Sequence, residues 1–126
     1  MMKTFAAIFA LSAVPALAQP AAIPVYYAYD QPGMSRWMVD KAMHAVLDRP
    51  EFAAAAKRDA HVLEVNIADK IVRDSGDNAR GFTFMLGFYR GGDKLGEASE
   101  YCRTDKLADC ADQLAADITS ADAIRH

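Results

Sequence analysis

The chain has 126 residues, with 14 Lys and Arg against 17 Asp and Glu and a formal net charge of −3. Its basic residues are scattered, with no run and no stripe joined to aromatics, which excludes a nucleic-acid footprint. The length suits about one domain, and two cysteines are too few for a disulfide-dense scaffold.

Residues 1–18 read as a secretory signal peptide. Lys3 supplies a minimal positive start, Phe5–Val14 an apolar centre too short to span a bilayer comfortably, and Ala16-Leu17-Ala18 a small-residue cleavage site. Gln19 then begins the mature chain where a lipoprotein would need Cys, so no membrane anchor is expected after cleavage. Taking 18 residues from 126 leaves 108, and losing Lys3 leaves 13 basic against 17 acidic residues, a net charge of −4. Residues 19–126 are expected to form a single small α/β domain, periplasmic or secreted. In such a compartment Cys102 and Cys110 are most simply a disulfide. Seven residues separate them, too many for a Cys-x-x-Cys redox pair, and no further metal ligand stands nearby.

Ile23–Tyr29 alternates Ile23, Val25, Tyr27 and Tyr29 with Pro24, Tyr26 and Ala28, the period of a strand. Pro24 cannot donate to a ladder, which places that end at a strand start or a sheet edge. A turn at 30–33 follows. Ser35 then offers an N-cap to a helix whose stripe runs Met34, Trp37, Met38, Ala42, Ala45 and Val46, widened by Val39, Met43 and Leu47. Trp37 is expected in the core. The helix stops at Asp48-Arg49, because the residue before Pro50 is pushed out of the helical region. Pro50 is also suited to open a short second helix over Glu51–Arg58, which carries Phe52 and an alanine run.

Three strands come next. Leu63, Val65 and Ile67 alternate with Glu64, Asn66 and Ala68, and Asp69 interrupts before Ile71, which predicts a bulge or a strand end. Turn formers fill 73–80. Gly81–Arg90 sets Phe82, Phe84, Leu86 and Phe88 on one side and Thr83, Met85, Gly87 and Tyr89 on the other, as in a central strand. Gly91-Gly92-Asp93 reads as a tight hairpin into a third strand, Lys94–Cys102. Thr104 is positioned to cap a last helix reaching Arg125. Its apolar face is Leu107, Ala111, Leu114, Ile118 and Ala121, with Asp109, Asp112, Asp117 and Asp122 on the solvated side.

The predicted fold is α+β, a two-layer sandwich in the order β-α-β-β-β-α. It has a mixed four-stranded sheet, both helices on one face, and strand one parallel to a meander strand through a right-handed crossover. In its order of elements alone this resembles the small periplasmic α/β modules of cell-envelope assembly proteins.

Chemistry-bearing patterns are scarce. His44, His61 and His126 lack zinc-site spacing, and there is no Gly-x-Ser-x-Gly elbow or P-loop. Ser99 with His61 and an Asp makes a triad only on paper. Asp74-Ser75-Gly76-Asp77-Asn78 clusters oxygen ligands without EF-hand spacing, and Glu64, Glu97 and Glu100 offer carboxylates without a defined pair. No catalytic residue, metal or cofactor is expected. The reading is a non-enzymatic interaction or assembly module. It would bind an envelope protein or a second copy of itself through the open sheet face, using Tyr26, Met85 and Tyr89, unless the Glu51–Arg58 segment covers them. The alternative is a small-ligand carrier or small enzyme whose pocket is rimmed by the 49–59 and 73–80 loops and holds Asp69, Arg73 or His61.

Overall fold

A computed structural model describes residues 21–28, 36–68, 71–74 and 80–124, with the side chains of Ala28, Arg36 and Trp37 excepted. The signal-peptide segment, Tyr29, the turn at 30–33, the Ser35 cap, the Trp37 side chain, Asp69, residues 75–79 and His126 lie outside the described residues. In chain order the elements are β1 (Ile23–Ala28), α1 (Arg36–Leu47), β2 (Phe52–Ala54), β3 (Leu63–Ile67), β4 (Val72–Arg73), β5 (Gly81–Arg90), β6 (Asp93–Arg103) and α2 (Leu107–Asp122).

The class is α+β with a mixed sheet, but the sheet has six strands rather than four. β5 is central. β6 pairs along one edge of it, and β3 followed by β4 pairs along the other, all antiparallel. Beyond β3 lies β1 and beyond that β2, both joined in parallel. The connection through α1 joins β1 to β3 in parallel, as expected of strand one and a meander strand.

Two strands were not anticipated, for different reasons. Glu51–Arg58 is not a helix: Phe52–Ala54 is an edge strand against Ile23–Val25. Eight residues are too few for helix propagation to repay nucleation, so alanine propensity yields to tertiary context. Phe52 is buried, Ile23 N–H donates to the Glu51 carbonyl at 2.9 Å, and Ala55 N–H donates to the Val25 carbonyl at 2.8 Å. Since Ile23 and Val25 address β2, Pro24 faces the β3 side, where pairing begins only at Val25, so its missing N–H costs no ladder bond. The second unexpected strand, β4, resumes β3 after the Asp69 interruption. Ile67 stands opposite Leu86, and Val72, five residues on, stands opposite Thr83, only three residues back along β5. The register therefore changes by two residues between β3 and β4.

The phenylalanine row does face the helices. Phe82, Phe84, Leu86 and Phe88 join Val25, Leu63 and Val65 in one buried cluster with side chains of both helices, and the Phe82 and Phe84 rings stack at 5.5 Å. α1 buries Val39, Ala42, Met43 and Val46, the i, i+3, i+4, i+7 set of one helix face. Ala45, placed in the predicted stripe, is exposed. α2 buries Cys110, Ala111, Leu114, Ala115, Ile118 and Ala121.

Thr104 does not cap α2. Its hydroxyl donates to the Arg80 carbonyl at 3.1 Å, tying the end of β6 to the start of β5, and the cap position falls to Lys106, without a side-chain bond. Asp105 is held instead by a two-pronged Arg103 pair at 3.0 Å, which keeps its carboxyl below the ordinary aspartate value. The Cys102–Cys110 disulfide is present, with a Cα–Cα distance of 5.2 Å, and clamps the first turn of α2 to the end of β6. At the other end of β6, Gly91 and Gly92 take φ of 60° and 87°, the two positive values a two-residue hairpin between Arg90 and Asp93 requires.

Candidate functional site

Since both helices cover one face of the sheet, strand alternation sends every second side chain to the other. Strand pairing sorts these into rows. The first is Tyr26–Glu64–Tyr89–Lys94, the second Asn66–Gly87–Glu97, the third Met85–Ser99 and the fourth Val72–Thr83–Tyr101. Among the described residues no helix lies over this face.

Its two ends differ in chemistry. The first two rows are charged and internally neutralised. Arg58 Nε donates to Glu64 Oε1 at 3.0 Å, with its guanidinium 5.5 Å from the Tyr26 ring centroid, a cation–π arrangement. Lys94 Nζ donates to Glu97 Oε2 at 2.7 Å, and that bond raises the ammonium pKa above its ordinary value. The last two rows are uncharged and open, with Thr83 and Ser99 set among three large side chains. Val72 is 49% exposed, Tyr101 44% and Met85 41%; only Ile124 joins them as an exposed large hydrophobic among the described residues.

Two tyrosines lie flat on this surface. The Tyr101 ring crosses Gly81, and its hydroxyl donates to Asp74 Oδ2 at 2.6 Å. The bond to Asp74 raises the phenol pKa above its ordinary value, since ionisation would set two negative charges together. Tyr89 crosses Gly87 in the same way. Each ring fills the gap that a strand glycine leaves.

The three residues singled out from sequence are not gathered in one place. Tyr26 and Tyr89 share the first row, separated by Glu64, and both are half-buried. Met85 is four residues along β5 from Tyr89, about 13 Å at the rise of a strand. Its exposed neighbours are Val72 and Tyr101, which sequence reasoning passed over. Tyr101 becomes visible once the hairpin sets the β5–β6 register, which is shifted by a bulge at Phe88/Tyr89. Val72 becomes visible only if β4 is recognised as a strand. The 51–58 segment reaches the face at one point alone, through Arg58 over Tyr26.

The remaining candidates are dispersed. Glu64 and Glu97 sit on the outer face in different rows, whereas Glu100, opposite Phe84, turns to the helix side and meets Asp117 of α2. Ser99 is beside Met85, whereas His61 lines a hollow at the hairpin end. His44 is exposed on α1, 3.6 Å from Asp40. Asp74 is engaged by Tyr101, and the rest of the oxygen-rich loop lies outside the described residues.

The hollow at His61, about 520 Å³, also takes in Arg90, Asp93, Leu95 and Asp122. Its Arg90 binds the Asp122 carboxylate and donates to the Ile124 carbonyl at 3.5 Å, so the cation it would offer a ligand is engaged. A smaller hollow of about 300 Å³ next to it is lined by Arg58, Asp59, Glu64 and the hairpin glycines. The 73–80 loop adjoins the opposite end of β5, where Arg73 pairs with Phe82, so the structure does not bring the two predicted rims together.

No protein-family model and no curated protein matches the sequence. Among solved structures, the chain is similar to a minor lipoprotein from Acinetobacter baumannii, with 10% identity and a TM-score of 0.45 over 77% of this chain and 92% of that one.

Proposed function

We propose that this chain is an exported, non-enzymatic docking module that holds a protein partner against the outer face of its sheet. One observation carries the reading: three of the four exposed large hydrophobics among the described residues, Val72, Met85 and Tyr101, fall in two adjacent rows of the face without helices. Scattered apolar residues are ordinary on a surface, but three exposed ones gathered around Thr83 and rimmed by polar ones mark a contact site. Asp74 and Ser99 supply part of that rim. The Tyr101 and Tyr89 rings are held flat over glycines, so an aromatic contact would form with little loss of side-chain freedom. Export is supported by residues 1–18 and by the disulfide, which suits an oxidising compartment.

The test is a double substitution, Val72→Asp with Met85→Asp. Both side chains are open to water, so far-ultraviolet circular dichroism should be unchanged. Self-association, followed by size-exclusion chromatography with light scattering, and co-purification of any envelope partner should be lost. Assembly identical to the parent chain rejects the surface.

A further inference from the structure

On the helix side of the sheet, α2 lies along β6, and the seam between them is fastened at several heights. At its start stands the Cys102–Cys110 disulfide. One turn on, the Gln113 side-chain nitrogen, with the amide turned to satisfy both neighbours, donates to the Tyr101 carbonyl at 3.1 Å and to Glu100 Oε1 at 2.9 Å. Arg90 fastens the far end through Asp122. Between these, Asp117 of α2 and Glu100 of β6 face each other, carboxyl to carboxyl, and Asp117 Oδ2 is buried with no hydrogen-bond partner.

Two ionised carboxylates have no donor between them and repel, so a carboxyl–carboxyl bond exists only with a proton in it. Gln113 donates to Glu100, but no cation among the described residues acts on Asp117. On β6, Glu97 also lines the groove beside Asp117, but its carboxylate is bound by Lys94. β5 presents Phe84, Leu86 and Phe88 to the helix side, and α1 contributes Val39, Ala42, Met43 and Val46 to the shared core. Neighbours on α2 itself are the neutral Gln113 and Ser120, with Asp122 bound by Arg90.

We propose that the Glu100–Asp117 pair is a proton-operated latch: one shared proton ties α2 to the edge strand, and its loss sets two charges against each other in the middle of the seam. Burial, and then Glu100, push the Asp117 carboxyl up to about 7 from an ordinary 3.8. Between those values the folded chain holds a proton that the unfolded chain has lost. The latch therefore contributes fully below pH 4, weakens as pH rises and is gone above 7. A groove of about 170 Å³ beside Asp117, flanked by Phe88, Ala98, Ala121 and Ile124, is where the seam would part.

Carbon-detected NMR of the full chain reads the carboxyl of Asp117 directly. A midpoint near pH 7 is expected, and one near 4 overturns the latch. Asp117→Asn keeps a donor to Glu100 at every pH. Denaturation midpoints of the parent should fall between pH 4 and 7 more steeply than those of the variant. At pH 8, amides of 113–122 should exchange more slowly in the variant than in the parent. Glu100→Gln, which supplies a donor from β6, should flatten the profile in the same way and covers a misfolded Asp117→Asn. Equal slopes in the parent and a folded variant overturn the proposal.

Discussion

Gly81 shows how much a single position can carry. A Cβ built there would stand 2.2 Å from the Tyr101 hydroxyl, 2.4 Å from its ring and 2.8 Å from the Cys102 carbonyl. The ring could swing aside, but the carbonyl belongs to the strand next door and cannot. Gly81→Ala should therefore cost about 1–3 kcal/mol, the range for an overpacked site, and break the Tyr101–Asp74 bond. Urea denaturation measures the first effect. The second appears as a fall in the Tyr101 phenol pKa toward its ordinary value, followed by ultraviolet absorbance. Nothing in the sequence around Gly81 announces this role. The ring that covers it is twenty residues away, brought there by the β5–β6 ladder. Asp117 is a similar case. Its spacing from Asp109, Asp112 and Asp122 reads as a solvated side, yet β6 runs beside that flank of α2 and pairs it with Glu100. Helical periodicity says which residues share a face. It does not say which other element will lie against the border of that face.

Among the elements, α2 depends most on a bond outside itself. It has no side-chain N-cap, and its first turn is secured by the disulfide to the end of β6. Closing a loop this short should contribute about 2–3 kcal/mol by the chain-entropy estimate. Replacing both cysteines by serine should lower stability by that amount or more, since Cys102 and Cys110 are each 1% exposed and the hydroxyls would be buried. Thermal denaturation and amide exchange at the start of α2 measure it, with the loss of protection expected at that end of the helix. The long, patterned elements were legible in advance: β1, α1, β3, β5, β6 and α2 all lie within a few residues of their predicted places. The two short strands were not. Three residues of β2 and two of β4 are below the length at which alternation can be recognised, and each exists because a longer neighbour presents an unpaired edge.

At the scale of the whole molecule, one layer of helices covers one face of the sheet, and the phenylalanine row is the joint. Phe84 lies at 1% exposure in the middle of β5, stacked on Phe82. Phe84→Ala should cost about 3–5 kcal/mol, a large share of the roughly 5–15 kcal/mol that holds a domain of this kind together. A single cooperative unfolding transition at a lower denaturant midpoint is the expected outcome, and near-parent stability would show that the two layers do not meet there. The same architecture leaves the outer face without a helix over it among the described residues. Met85 was legible as an outward residue from the alternation of β5 alone, and the cysteine pairing from the cysteine count and spacing.

The sequence by itself determined the strand and helix periods, the inward row of phenylalanines, the disulfide and the parallel pairing of strand one, because each follows from local spacing or the order of elements. Tertiary structure alone decided that Val72 and Tyr101 stand on either side of Thr83, next to Met85, that Phe52–Ala54 becomes an edge strand, and that Glu100 meets Asp117. Those outcomes depend on register between segments distant in the chain. Register is set by the sum of many weak pairings, which no local pattern records.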